Sequence, residues 1–168
     1  IRLILQEAAR RIETGGKRTI LFLDEIHRFA RNQQDVLLAD VEAGLITLIG
    51  ATTETPFFSV NSALISRSTM FQFEPHDAED IRGILQRAIT HEQGYGHLNL
   101  QVDDEAMDHW IRISDGDARR ALNALEVAVD SQQPEQTTNT VIVDLAIAEQ
   151  SIQAKALRYD RDGDGHYD

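Results

Sequence analysis

Cysteine is absent from the 168 residues of this chain. Its absence excludes disulfides, thiolate nucleophiles and zinc sites with thiolate ligands. Long apolar runs are missing too, and none approaches the roughly 20 residues that a membrane-spanning helix needs. The first residues have the pattern of a helix rather than of a signal peptide. We therefore expect a soluble cytoplasmic protein without membrane contact.

Basic residues are few, because 16 Lys and Arg are outnumbered by 28 Asp and Glu, which gives a net charge of −12. This charge excludes a generally basic surface that would coat nucleic acid, although a local basic patch stays compatible with it. The hydrophobic content of 42% is ordinary for a globular protein. At this length the chain can form one good-sized domain or two small ones. It begins without methionine and stops within an acidic run, so we expect a piece excised from a longer protein.

The first 75 residues alternate between patterns typical of helices and of buried strands. The predicted elements are helices over Ile1–Glu13, Gln33–Glu42 and Val60–Ser66, and strands over Thr19–Leu23, Leu45–Gly50 and Met70–Phe73. Two strands joined through a helix predict a right-handed parallel unit. Pro56 is expected to interrupt regular structure after the second strand.

Beyond Pro75 the helical period dominates, and no run is suited to a central strand. The predicted helices are Asp77–Gln93, Asp103–Ile113, Asp117–Val129 and Asp144–Ala156, with a polar loop over Gln132–Asn139. The sequence therefore predicts part of a parallel α/β sheet followed by a small four-helix unit.

The segment Ile20–His27 combines four apolar residues with two carboxylates, Asp24 and Glu25. The apolar run predicts a strand buried on both faces, and the acids then lie at its carboxyl end, where open α/β sheets bind ligands. This is the pattern of a Walker B box, in which the Asp helps hold the magnesium of a nucleotide and the Glu positions or activates the attacking water. The alternative is a buried strand followed by an ordinary helix-capping acid.

Thr52 and Thr53 follow the second strand, beside the position of the acids on the first. A hydroxyl there can orient a water or contact a terminal phosphate, and the alternative is a simple hydroxyl-capped turn. Arg67 follows a short predicted helix and can reach a neighbouring subunit as an arginine finger. The alternative for Arg67 is a surface residue that closes its own helix through the helix dipole.

The segment Gly116–Arg120 opens a predicted helix with Asp117 as its N-cap. Arg119 then falls in the first turn, where the helix dipole disfavours a cation by a few tenths of a kcal/mol. An anionic ligand would explain an arginine at this position, and Arg120 is the alternative residue for that role.

In this order the motifs resemble the AAA+ ATPases, most closely the RarA/MgsA family, the Werner-helicase-interacting type of replication-stress ATPase. The resemblance covers nearly the whole chain and is carried by Leu23–Phe29, Gln33–Asp35, Ile49–Glu54, Asn61–Arg67, Gly116–Asn123 and Ala156–Asp160. The chain departs from the family pattern at Thr55, where the family has Asn. It also has no G-x-x-x-x-G-K-S/T phosphate loop, since Gly15–Arg18 lacks the first glycine, the spacing and the hydroxyl.

The resemblance implies a role for each candidate residue. Asp24 and Glu25 would be the Walker B pair, with Asp24 on Mg²⁺, and Arg67 the trans-acting finger. Thr52 would be sensor 1, with Thr53 as a second candidate, and Arg119 would be sensor 2. His27, Arg28 and Phe29 are similar to the family without an assigned catalytic role, and we expect His27 to pack or to form hydrogen bonds.

The same resemblance implies the fold class and the domains. The fold class is α/β, with the C-terminal half of an AAA+ parallel-sheet core followed by an all-α helical lid. Residues 1–75 would be the partial core, 76–156 the lid and 157–168 an acidic linker towards a further domain.

The implied activity is hydrolysis of ATP with Mg²⁺ at subunit interfaces of a DNA-dependent homo-oligomer. That parent protein would act with replication and recombination proteins at replication forks, in the cytoplasm at the nucleoid. Without the phosphate loop, we expect this chain alone to bind ATP weakly or not at all and to be inactive.

Two other functions compete with this interpretation. Asp24–His27 also matches a DExH-type helicase box, although such helicases continue into a second α/β domain rather than a helical unit. A non-catalytic AAA+-like scaffold is the other alternative. Asp160–Gly165 matches the first positions of a calcium-binding EF-hand loop, but the resemblance explains it as an acidic linker.

Overall fold

The computed structural model describes residues 2–132 and 139–152. The chain forms two compact units, unit 1 over Ile1–Gln72 and unit 2 over Phe73–Asp168. Among the helices of the described residues, none combines the length and the apolar composition required to cross a membrane.

Unit 1 contains the predicted alternation of helices and strands. Its elements are α1 (Arg2–Glu13), β1 (Thr19–Leu23), a 3-10 turn (Ile26–Arg28), α2 (Arg31–Glu42), β2 (Ile46–Gly50), α3 (Pro56–Ser59) and α4 (Ser62–Ile65). β1 and β2 pair in parallel, with Leu21 opposite Leu48 and Leu23 opposite Gly50. The predicted parallel strand–helix–strand arrangement is therefore confirmed.

The core of unit 1 lies on one face of this two-stranded sheet. Its buried side chains come from both long helices and both strands: Leu5, Ala8, Leu21, Leu37 and Ile46. On the other face Ile20, Phe22 and Ile49 are exposed. The prediction that β1 is buried on both faces is wrong for this chain, because α1 and α2 both contribute to the cluster on the Leu21 side.

The segment after β2 differs from the prediction in two places. Pro56 does not interrupt regular structure but begins α3, where a missing N–H costs nothing, and the predicted helix Val60–Ser66 shortens to α4. The predicted strand Met70–Phe73 is wrong, since these residues form no regular structure and are exposed. A strand needs a hydrogen-bonded neighbour, and β1 and β2 pair only with each other in the described part of unit 1.

Unit 2 contains the predicted helices with shifted ends. Its elements are α5 (Ala78–Thr90), β3 (Asn99–Val102), α6 (Asp104–Ser114), α7 (Ala118–Asp130), β4 (Thr140–Val143) and a helix described over residues 145–152. The end of the last predicted helix, most of the predicted loop and the whole acidic segment 157–168 lie outside the described residues.

Two short strands in unit 2 correct the prediction of an all-helical lid. β3 and β4 pair in parallel, with Leu100 opposite Val141 and Val102 opposite Val143. They escape sequence analysis because each has only four residues, too few for a run suited to a central strand. The sheet packs into the helical core, where Trp110 is fully buried.

Candidate functional site

The carboxyl ends of β1 and β2 are tied together by backbone hydrogen bonds. The Ala51 N–H donates to the Leu23 carbonyl at 2.9 Å, and the Ile26 N–H donates to the Ala51 carbonyl at 2.9 Å. These bonds continue the pairing of the strands past their ends. The predicted acid pair after β1 and the predicted threonine pair after β2 therefore lie at one edge of the sheet.

The backbone turns sharply at Glu25. Its φ of 52° and ψ of 47° place a non-glycine residue in the left-handed region. The Glu25 N–H donates to Asp24 Oδ1 at 3.0 Å, so the preceding carboxylate supports the turn. This conformation costs about 1–3 kcal/mol, and such residues cluster at functional sites. It directs the chain from the strand into the 3-10 turn and leaves the Glu25 carboxylate at the strand tip.

His27 lies between the two strand ends and contacts both. Its Nδ1 is 2.8 Å from Thr52 Oγ1, and its Nε2 is 3.1 Å from Glu25 Oε2. A second carboxylate, that of Glu54, lies 3.9 Å from Nε2. The ring is largely buried, with 12% of the side chain exposed. Glu25 and Thr52 are thus connected through an imidazole rather than by direct contact.

The two threonines make different contacts. Thr52 Oγ1 accepts a hydrogen bond from the Glu54 N–H at 3.1 Å, which is the hydroxyl-capped turn of the alternative interpretation, and it also contacts His27. Thr53 Oγ1 lies 3.5 Å from Glu25 Oε2, at the outer limit of a hydrogen bond. Both threonines therefore contribute to the surroundings of Glu25, directly or through His27.

Asp24 is exposed beside this network and is the residue predicted to hold Mg²⁺. No group of three or more His, Cys, Asp or Glu able to hold a metal ion occurs within the described residues. Mg²⁺ commonly binds through one or two carboxylates together with substrate phosphates and water, rather than in an all-protein site. The exposed carboxylate of Asp24 at the strand tip fits that mode of binding.

Arg67, the predicted finger, contacts its own unit. Its Nη1 donates to the Ala63 carbonyl at 3.0 Å, and its Nη2 lies 2.6 Å from Glu42 Oε1. The side chain remains 45% exposed. Arg67 thus closes its own helix, α4, which was the alternative to an arginine finger. Its action in a neighbouring subunit stays a prediction.

Arg119 lies in unit 2, in the first turn of α7, and does not share the unit of the other candidates. The Asp117 carboxylate accepts hydrogen bonds from the backbone N–H groups of Arg119 at 2.8 Å and Arg120 at 3.1 Å. Both arginine side chains are exposed. The N-cap prediction for Asp117 is confirmed, and a ligand role for either arginine stays a prediction.

Sequence analysis misses Gln34, a fully buried side chain that supports the site. Its Nε2 donates to the carbonyls of Phe29 at 2.9 Å and Ser59 at 3.1 Å, and its Oε1 accepts from the Asn61 N–H at 2.7 Å. One amide thus connects α2 to the segments that follow β1 and β2. The sequence does contain a signal of its burial, because Gln34 lies on the same helix face as the apolar residues Leu37 and Val41.

Comparison with known proteins gives relatives along nearly the whole chain. The AAA C-terminal domain family matches residues 96–168. An uncharacterised AAA domain-containing protein of Mycobacterium tuberculosis is 46% identical over 96% of this chain and 35% of its own length. Replication-associated recombination protein A of Bacillus subtilis is 43% identical over 98% of this chain and 39% of its own. The chain therefore spans well under half the length of these relatives.

The fold is also found among solved structures. The RuvB Holliday junction branch migration motor of Thermotoga maritima superposes with a TM-score of 0.65 over 89% of this chain and 49% of its own, at 22% identity. The predicted fold class, a parallel α/β core part followed by a helical part, is confirmed. The two short strands of unit 2 are an addition to it.

Proposed function

We propose, since the chain belongs to the RarA family of AAA+ ATPases, that it forms the part of the nucleotide site that carries out hydrolysis in a longer ATPase. The observation that carries this proposal is the meeting of Glu25 and Thr52 around His27 at the carboxyl edge of the sheet. These residues come from different strands, and a ligand bound at this edge can contact both.

The chemistry follows from the groups at that edge. Asp24 would hold the Mg²⁺ that accompanies ATP, which neutralises charge on the phosphates. Glu25 accepts a hydrogen bond from the attacking water and directs it at the terminal phosphate. Thr52, with Thr53 as the second candidate, orients the same water or phosphate. Arg119 of unit 2 is our candidate for the sensor 2 arginine of the ATPase.

The exposed guanidinium of Arg67 can exchange its pairing with Glu42 for a phosphate of a neighbouring subunit. Surface ion pairs are worth only about 0–1 kcal/mol, so little opposes this exchange. The site is then completed only in a homo-oligomer. Residues 1–75 serve as the ATPase core, 76–156 as the lid and 157–168 as a linker.

For the biological role, we propose DNA-dependent ATP hydrolysis in replication-fork maintenance, recombination and repair. The support is the name of the relative from B. subtilis, a replication-associated recombination protein. Partners are DNA at forks and proteins of replication and recombination, and the location is the cytoplasm at the nucleoid. A DExH helicase is disfavoured because the described part of unit 2 is helical with a two-stranded sheet.

The test is the Glu25→Gln variant of the full-length protein. We expect ATP to bind normally while kcat for hydrolysis falls by about 10²–10⁴-fold, the usual contribution of a positioned acid or base. The matched control is Glu13→Gln, the same change at an exposed position of α1, which should keep full activity. Unchanged hydrolysis in Glu25→Gln would leave only the scaffold function.

A further inference from the structure

His27 is the candidate that the predicted catalytic roles leave unused. Its ring is largely enclosed at the strand tips and contacts Thr52 on one side and Glu25 on the other. Its two ring nitrogens are therefore both engaged, and each engages a different predicted functional residue. Buried polar atoms are generally hydrogen-bonded, so what distinguishes His27 is that both of its partners are predicted functional residues.

For a neutral imidazole, the hydrogen-bond inventory gives the network one direction. Thr52 Oγ1 accepts from the Glu54 N–H, so its own hydroxyl proton is available to donate to His27 Nδ1. His27 Nε2 then carries the ring proton and donates to Glu25 Oε2, because a carboxylate only accepts. Every contact is satisfied by a neutral imidazole in the Nε2–H tautomer.

Only one oxygen of the Glu25 carboxylate, Oε2, contacts neighbouring side chains. Both side-chain contacts of the Glu25 carboxylate reach Oε2, from His27 Nε2 at 3.1 Å and from Thr53 Oγ1 at 3.5 Å. Within residues 2–132 and 139–152, Oε1 receives no hydrogen bond. Donors on one oxygen fix the plane of the carboxylate and leave the other oxygen free to accept from a water.

We propose that His27 is a positioning residue that transmits the location of Thr52 to the Glu25 carboxylate, so that Oε1 is presented to the attacking water. This inference rests on the proposed function. In this arrangement Thr52 acts on Glu25 through the imidazole of His27, in addition to any contact that Thr52 makes with a phosphate. The effects of Thr52 and His27 on hydrolysis are then coupled.

The first experiment compares kcat and KM for ATP in variants of the full-length protein. His27→Phe keeps a planar ring but removes both hydrogen bonds. We expect kcat to fall about tenfold or more, the usual effect of mutating a residue that orients a functional side chain by a hydrogen bond, with KM near the value of the unmutated protein. His27→Gln places an amide N–H near the Nε2 position and should recover much of kcat. His97→Phe, at an exposed histidine of unit 2, is the control and should keep full activity.

A double-mutant cycle separates this role from a merely structural one. If Thr52 acts on Glu25 through His27, Thr52→Val combined with His27→Phe should lower kcat by less than the product of the two single effects. Strict multiplication of the effects would overturn the inference. So would an unchanged kcat in His27→Phe, while loss of activity in Glu25→Gln keeps the proposed function intact.

A second experiment uses this chain without nucleotide. Two-bond ¹H–¹⁵N correlation spectra report the imidazole tautomer, and we expect His27 as the neutral Nε2–H form. Thr52→Val should alter the Nδ1 shift and Glu25→Gln the Nε2 shift. A neutral Nδ1–H tautomer would reverse the donor direction and overturn the inference, independently of any ATPase measurement and of the foldability of His27→Phe.

Discussion

At the scale of single residues, Gln34 shows how one buried amide joins three segments. Its side chain contacts Phe29, Ser59 and Asn61, so it links the chain after β1 to the chain after β2. These are the two segments that carry the candidate site. A leucine would suit the burial of this position but would leave two carbonyls and one N–H without the amide that pairs with them.

We therefore expect Gln34→Leu to lower the free energy of unfolding of unit 1 by about 3 kcal/mol, since each buried group left without a partner costs about 1–3 kcal/mol. Hydrogen exchange of the β1 and β2 amides measures this, because both strands belong to unit 1. Gln6→Leu, the same change at an exposed position of α1, should have almost no effect. Equal protection in both variants would contradict the role of Gln34.

Tyr95 provides a prediction on pH. Burial, and next the carboxylates of Asp130 and Glu126, raise the pKa of the Tyr95 phenol above its usual 10.0. The folded state thus favours the neutral phenol. Its contribution to stability is present below the unfolded pKa and is lost as the pH rises through the higher folded pKa.

In the double variant Glu126→Gln with Asp130→Asn, the pKa of Tyr95 should fall but stay above 10.0, because burial is the largest cause. Because the chain has three tyrosines, ultraviolet absorbance of tyrosinate during alkaline titration measures it in a background in which Tyr159 and Tyr167 are replaced by phenylalanine. Glu105→Gln on α6 serves as the control, since Glu105 is not among the groups that act on Tyr95. A pKa that does not move in the double variant would show that the two carboxylates exert no influence.

At the scale of elements, four described helices of unit 2 begin after an aspartate, and three of these side chains form a cap. Asp77 accepts from the Asp80 N–H at 2.8 Å, Asp117 accepts from two N–H groups of α7, and Asp144 accepts from the Ile147 N–H at 2.9 Å. Asp103 precedes α6 but makes no side-chain cap hydrogen bond. The same residue type thus has different consequences at equivalent positions.

We expect Asp77→Ala and Asp117→Ala each to destabilise unit 2 by about 0.5–2 kcal/mol, the usual contribution of an N-cap. Asp103→Ala is the matched control and should cost clearly less. The single tryptophan, Trp110, is fully buried in unit 2 and reports its unfolding in urea by fluorescence. Three equal losses would contradict the distinction drawn from the hydrogen bonds.

At the scale of the whole molecule, unit 1 exposes large apolar side chains on one sheet face and in the segment after α4. Ile20, Phe22 and Ile49 lie exposed on one sheet face, and Phe71 is 79% exposed in the irregular segment that follows α4. Contiguous apolar surface of this kind promotes association.

We predict that this chain binds a hydrophobic fluorescent dye in its folded state and self-associates as its concentration rises. Phe22→Thr keeps a residue that favours strands while it removes the largest side chain of the exposed face, so both effects should weaken. Dye fluorescence and analytical ultracentrifugation measure them. Leu122→Gln, at a less exposed leucine of α7, should change neither, and equal dye binding in the two variants would contradict the prediction.

The order of the helices and strands follows from the sequence, because helical period, strand composition and N-caps act over a few residues. The acid pair Asp24 and Glu25 and the threonine pair Thr52 and Thr53 can be found in the same way. The resemblance to the RarA family rests on the same short segments. Thr52 and Glu25 were expected at one edge of the sheet simply because parallel strands present their carboxyl ends together.

Only the tertiary structure decided which face of β1 is buried, that Met70–Phe73 forms no strand, and that β3 and β4 pair inside the helical unit. It alone revealed that His27 connects Glu25 to Thr52, which lies 25 positions after His27 in the sequence, and that the buried Gln34 supports the site. The physical reason is that burial and pairing depend on partners distant in sequence, whereas propensity and hydropathy describe each segment by itself.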